Sequence, residues 1–143
     1  MMGTNEAIIL EFPLSEDDFD TAGEASSRIN QALKRVGVRP EVIRRVAVSA
    51  YEAAMNVVIH AYRGMIQASI FTDRTELLVL DEGPGIADIK MAMRQGYSTA
   101  SDEAREAGFG AGMGLNNIMR HPDECTIESV VGVGTAIHII VRH

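Results

Sequence analysis

The stretch from Glu41 to about Tyr62 constrains the fold more than any other part of this chain. At about 100° per residue, Ile43, Val46, Ala47, Ala50, Ala54, Val57, Val58 and Ala61 fall on one side of a helix, and Val48, Met55 and Ile59 extend the apolar surface round its flank. A helix apolar over so much of its circumference has to be covered by other elements. Arg45, Ser49, Glu52, Asn56 and His60 are left in one narrow polar wedge, with Glu52, Asn56 and His60 stacked at i, i+4 and i+8. A carboxylate beside an amide on a nearly buried helix costs free energy unless something pairs with them. Their oxygens suit a Mg²⁺ ion or an activated hydroxyl. Ordinary amphipathicity, with the wedge as a solvated face, accounts for the same residues.

What can cover such a helix is read from its neighbours. Ala7 to Pro13 reads as a strand. Glu16 to Val36 carries Phe19, Ala22, Ala25, Ile29, Ala32, Leu33 and Val36 at helical spacing, closed by Gly37. Pro40 opens the second helix, where a missing N–H costs nothing. Met65 to Phe71 and Glu76 to Leu80 are β-prone runs joined by Thr72-Asp73-Arg74-Thr75 as a hairpin. Short helices are expected over Ile86 to Gln95 and Gly112 to His121, separated by a glycine-punctuated segment. Cys125 to Val131 and Thr135 to Val141 make a closing hairpin round Gly132-Val133-Gly134. Hairpins outnumber βαβ crossovers, which predicts an α+β two-layer sandwich: a mixed, mostly antiparallel sheet with helices on one face.

The chain has 143 residues, enough for one core, and no linker divides it. The expected organisation is a flexible N-terminus over 1–6 and a single domain over 7–143. A net charge of −7 argues against an electrostatic grip on nucleic acid or an anionic membrane. No apolar run approaches a bilayer span and the start lacks a basic leader, so a cytoplasmic location is expected. One cysteine, Cys125, rules out an internal disulfide and agrees with a reducing compartment.

Two further segments carry candidate chemistry. Asp81 ends an apolar strand and is followed by Gly83-Pro84-Gly85, so a flat ligand could approach the backbone while the carboxylate accepts from an amine such as that of adenine. A turn in which Asp81 caps its own backbone is the alternative. Gly108 to Leu115 has glycines at spacing two, and successive N–H groups there can converge on an anion before a helix N-terminus. It is not a P-loop, since no Gly-Lys-Ser/Thr follows, and it fails the dinucleotide pattern at Met113 and Leu115.

Glu52-x3-Asn56-x3-His60, Asp81-x-Gly83-x-Gly85, Gly110-x-Gly112-x-Gly114 and Gly132-x-Gly134-Thr135 together resemble, in order and spacing, the boxes of the GHKL (histidine-kinase-like) ATPase superfamily. The resemblance runs from about Ala7 to Val141 and is strongest to the anti-sigma-factor serine/threonine kinases. It implies their ATP-binding sandwich fold, with a lid over the phosphates. It implies that Glu52 orients or deprotonates the attacking hydroxyl and that Asn56 binds Mg²⁺. Asp81 would accept from the adenine amine with Thr135 beside it, while Gly83 and Gly85 make room for the base. Gly110, Gly112 and Gly114 would cradle the phosphates, and Thr99, in Gly96-Tyr97-Ser98-Thr99, joins the ATP-binding set. His60 extends the stripe. The sequestering members of the family carry a basic residue just before the lid glycines. Here Gly108 to Ala111 has none, and Arg105 is the nearest candidate.

The implied function is phosphoryl transfer from Mg·ATP to a Ser or Thr of a small protein, of the anti-sigma-antagonist type. A sigma factor or phosphatase is a further partner, and the free sheet face permits a homodimer. The alternative is a nucleotide-dependent binding module with little catalysis. The chain lacks the long dimerisation helices and acceptor histidine of a histidine kinase, and has no room for the transducer domain of gyrase-type members.

Overall fold

In the computed structural model the described residues are 7–85, Ile118 and 121–143. They form, in order, β1 (Ile8–Ser15), α1 (Phe19–Arg35), α2 (Pro40–His60), β2 (Arg63–Ile70), β3 (Arg74–Glu82), β4 (Glu124–Val130) and β5 (Gly134–Arg142). The five strands make one sheet in the order β1-β2-β3-β5-β4. Every ladder among the described residues is antiparallel, in keeping with the mostly antiparallel sheet expected, because each neighbouring pair is joined by a hairpin or a return. Residues 1–6, the helix expected over 86–95 and most of that over 112–121 lie outside the described residues; Ile118 is helical and His121 already sits in a bend.

Local chemistry sets the helix ends. Asp18 caps α1 by accepting from the Thr21 N–H at 3.3 Å and from its hydroxyl at 2.6 Å, so the helix starts at Phe19, three residues later than periodicity suggests. Lys34 and Arg35 face the negative end of the helix dipole, and Gly37 (φ +79°) takes the left-handed conformation just beyond it. Pro40 occupies the first position of α2.

Packing then decides what is inside. Leu77 and Val79 of β3, Ile66 and Ala68 of β2, and Ile137, Ile139 and Val141 of β5 alternate inward on one sheet face and are buried with Ile29 and Leu33 of α1. The expected inner side of α2 is buried from Ile43 to Ala61, except Ala47, which is half-buried against α1; Val42 and Ala53, absent from the expected set, are buried too. Ser26 Oγ donates to the Ala47 carbonyl at 2.9 Å, which seats α1 on the Ala47 side of α2. Ala47 and Asn56 are nine residues apart, half a turn out of phase, so the polar wedge lies on the flank turned away from α1.

Candidate functional site

Asp81 stands inside β3 opposite Gly64, one residue short of the strand's end, rather than terminating it. The strand alternates, so Asp81 follows Leu77 and Val79 onto the helix-covered face. Thr135 follows the same rule on β5 with Ile137 and Ile139, and is 7% exposed. The two meet: the Thr135 N–H donates to Asp81 Oδ1 at 3.0 Å. Asp81 is half-buried, and burial pushes its carboxyl above the usual carboxylate range while the Thr135 bond works against that shift.

The glycine turn after Asp81 is locked to the tip of the β4–β5 hairpin. Gly83 N–H donates to the Val133 carbonyl at 3.1 Å, and Gly132 N–H to the Pro84 carbonyl at 2.9 Å. Gly85 has φ +73°, and a Cβ there would lie 2.5 Å from the Val130 carbonyl oxygen. A Cβ on Gly134 would lie 2.0 Å from the Asp81 carbonyl oxygen. Glycine at these two positions is therefore required by backbone meeting backbone, and the close approach holds Asp81 and Thr135 in register.

Helix α2 reaches the same place. A Cβ on Gly83 would touch Ala61 Cα at 2.9 Å, and one on Gly64 would touch Val57 Cγ1 at 2.9 Å and Asp81 Cα at 3.1 Å. The helix turn that carries Asn56 and Val57 thus lies beside Asp81. Glu52, Asn56 and His60 are half-buried, intermediate between core and solvent, and burial lowers the His60 pKa. The wedge is not a plain solvated face. Ser49 is fully buried, and among the described residues its hydroxyl has no hydrogen-bond partner. Arg45 is tied down, with Nε donating to the His121 carbonyl at 2.8 Å and Nη2 to Asp123 Oδ1 at 3.1 Å. Asp123 in turn accepts from the Arg142 N–H at 2.6 Å. His121 and Asp123, which lead into β4, are so held to the helix that carries Glu52 and Asn56.

The structure therefore brings Asp81, Gly83, Gly85 and Thr135 to one end of the sheet, next to the half of α2 that holds Glu52, Asn56 and His60. Thr99, Arg105, Gly110, Gly112 and Gly114 lie outside the described residues. Two residues beside the candidate site were given no role of their own from sequence. Gly134 entered as part of the closing turn and of the Gly132-x-Gly134-Thr135 box, and its missing side chain admits the Asp81 backbone. Ser129, opposite Thr135 in the β4–β5 ladder, places its Oγ 2.9 Å from Thr135 Oγ1. The three-residue turn Val131-Gly132-Val133 was the available signal, since counting back from it pairs Ser129 with Thr135.

The donor set is oxygen-rich and sparse. Among the described residues no group of three or more His, Cys, Asp or Glu side chains could hold a metal ion. One amide and one carboxylate on α2 fit a hard cation that completes its shell elsewhere, as Mg²⁺ does with phosphate oxygens and water.

Residues 16–141 match the family model described as the histidine kinase-like ATPase domain. An anti-sigma F factor of Caldanaerobacter subterraneus subsp. tengcongensis is 34% identical over 104 residues, 69% of each chain. The serine/threonine-protein kinase RsbT of Bacillus subtilis is 34% identical over 100 residues, covering 67% of this chain and 69% of its own. An anti-sigma F factor of Heyndrickxia coagulans is 37% identical over 95 residues, covering 62% and 61%.

Proposed function

This chain belongs to the histidine kinase-like ATPase domain family, and we propose that it is an ATP-dependent serine/threonine protein kinase whose small protein substrate governs a sigma factor. The observation that carries this reading is the Asp81–Thr135 pair, set on the helix-covered face of the sheet beside the turn of α2 that bears Asn56. Asp81 uses Oδ1 on the Thr135 N–H, which leaves Oδ2 to accept from the amine of adenine. Raised by burial, this carboxylate gains more from such a donor than an exposed one would.

Asn56 would hold Mg²⁺ through its amide oxygen, and the ion would supply charge neutralisation on the phosphates. Glu52, one turn towards the N-terminus, would accept the proton of the attacking Ser or Thr hydroxyl as the oxygen meets the γ-phosphorus. The leaving oxygen passes to ADP. Gly110, Gly112 and Gly114 are assigned to the phosphates and Thr99 to the nucleotide, with Arg105 as the nearest side-chain cation. No described helix is long and apolar enough to cross a membrane, and the reading places the protein in the cytoplasm, with its substrate.

The test is phosphorylation of the partner that co-purifies with the chain in Mg·ATP. Glu52→Ala is expected to abolish transfer while ATP still binds, and Asn56→Ala to lose Mg²⁺-dependent binding. Undiminished phosphorylation by either variant overturns the assignment. The relatives named as anti-sigma F factors favour a second activity, direct capture of a sigma factor. A nucleotide-dependent pull-down of a sigma factor by the Glu52→Ala protein would reveal it.

A further inference from the structure

A groove of about 340 Å³ lies between the second half of α1 and the first turns of α2, with Asn30, Lys34, Val38, Ile43, Arg44 and Ala47 in its lining. Ile43 is buried and Val38 and Ala47 are half-buried, so its depth is apolar, while Lys34 of one helix and Arg44 of the other are exposed. Arg44 precedes Asn56 by three turns of α2, about 18 Å, and Ala47 faces away from the polar wedge. The groove is therefore separate from the candidate nucleotide site. Its charge is out of keeping with the rest of the chain. Residues 28–45 hold six of the 13 basic residues and one, Glu41, of the 20 acidic ones, on a chain of net charge −7. Arg28 pairs with Glu24 and Arg45 with Asp123, but no ion pair among the described residues engages Lys34, Arg35, Arg39 or Arg44. Lys34 and Arg35 suit the C-terminal end of α1. Arg39 is the N-cap of α2 and makes no capping bond, at the end of a helix where a cation opposes the dipole. Helix stability thus accounts for Lys34 and Arg35, but not for Arg39 or Arg44.

We propose that this groove docks a short acidic segment of a partner protein, with an apolar side chain entering between the helices and flanking Asp or Glu carboxylates meeting Lys34 and Arg44. An apolar lining with a cation on each wall is complementary to an acidic amphipathic segment. An extended polyanion fits it poorly. Exposed Glu24 and Asp20 begin about 15 Å back along α1 from Lys34, and they repel a nucleic acid or an anionic membrane laid across the helix pair. The docking groove shares no residue with the nucleotide reading above, so either can fail without the other.

The probe is a fluorescein-labelled peptide of about 15 residues built from Glu, Leu and Ala, with leucines on one helical stripe and glutamates beside it. The full chain is titrated into it and binding is followed by fluorescence anisotropy at low and at high salt. Wild type is expected to bind, more weakly as salt rises, and to bind less well both a peptide with Gln for every Glu and one with Ser for every Leu. Lys34→Gln combined with Arg44→Gln should weaken binding about tenfold, the size of two surface ion pairs, while circular dichroism and thermal melting show the fold intact. Lys34→Glu combined with Arg44→Glu should abolish it. Phosphatidylserine vesicles and single-stranded DNA serve as the competing anions. The proposal is overturned if the acidic peptide does not bind at low salt, if the Gln peptide binds as well, or if the doubly neutralised protein keeps wild-type affinity. Vesicles or DNA that bind through Lys34 and Arg44 where the peptide does not would overturn it too, and would make the occupant a membrane or a nucleic acid.

Discussion

Asp81→Asn separates what this carboxylate does for the ligand from what it does for the fold. Asparagine can keep its amide oxygen on the Thr135 N–H, where Asp81 Oδ1 now accepts at 3.0 Å. Its NH2 group then stands where Oδ2 was, a donor facing the adenine amine. Losing a charge-assisted bond removes about 1.5–3 kcal/mol, and two opposed donors leave an unmet group at about 1 kcal/mol more. The sum, about 2.5–4 kcal/mol, lowers ATP affinity roughly 10²- to 10³-fold. Stability moves the other way. Burial raises the Asp81 pKa in the folded chain, so its contribution is favourable below the unfolded-state value and is lost as pH rises through the folded one. At neutral pH the ligand-free protein carries that penalty, and the asparagine does not. Calorimetry with ATP and thermal melts of the ligand-free proteins should therefore show binding largely gone with a melting temperature equal to wild type or higher. Wild-type affinity in Asp81→Asn would refute the reasoning. So would a variant that melts well below wild type, since Asp81 would then be chiefly a cap on the Thr135 N–H.

Gly134→Ala should fail in both respects. Its Cβ would lie 2.0 Å from the Asp81 carbonyl oxygen and 3.2 Å from Oδ1, so β3 and β5 must part, at a cost of about 2 kcal/mol and with nucleotide binding lost; unchanged melting and binding would refute the packing. On the opposite face of the sheet, Glu76 accepts from Arg74 Nε at 2.6 Å and lies 2.9 Å from His138 Nε2. The bond from Arg74, opposed by desolvation and aided by His138, holds the Glu76 carboxyl below its ordinary value. A depressed folded-state pKa contributes stability that is present above the unfolded-state value and is lost as pH falls through the folded one. Stability measured by denaturant titration from about pH 5 downwards should fall less steeply in Glu76→Gln than in wild type, and equal slopes would refute the assignment.

The candidate site was legible to unequal depths. Glu52, Asn56 and His60 could be placed on one stripe because a helix repeats every 3.6 residues whatever surrounds it. Asp81 and Thr135 could be named through the glycines near them, but nothing local says that the Thr135 N–H meets Asp81, 54 residues earlier in the chain. That contact depends on β3 and β5 lying side by side, a pairing between segments distant in sequence. Ser129 went unnamed for the same reason, since a lone Ser in an alternating strand has no signature until the hairpin turn sets its partner.

The wedge on α2 shows the same division. Periodicity determined that Arg45, Ser49, Glu52, Asn56 and His60 share one flank, and composition determined that the opposite side must be covered. Only the tertiary structure decided that Ser49 is sealed from water and that Arg45 holds the His121 carbonyl and Asp123. The physical reason is range. Helix phase, capping at Asp18, the Pro40 start and hairpin turns follow from interactions within a few residues, which any reader of the chain can sum. Which face meets which neighbour, and whether a glycine serves a turn or the close passage of another strand, follows from the packing of the whole core at once.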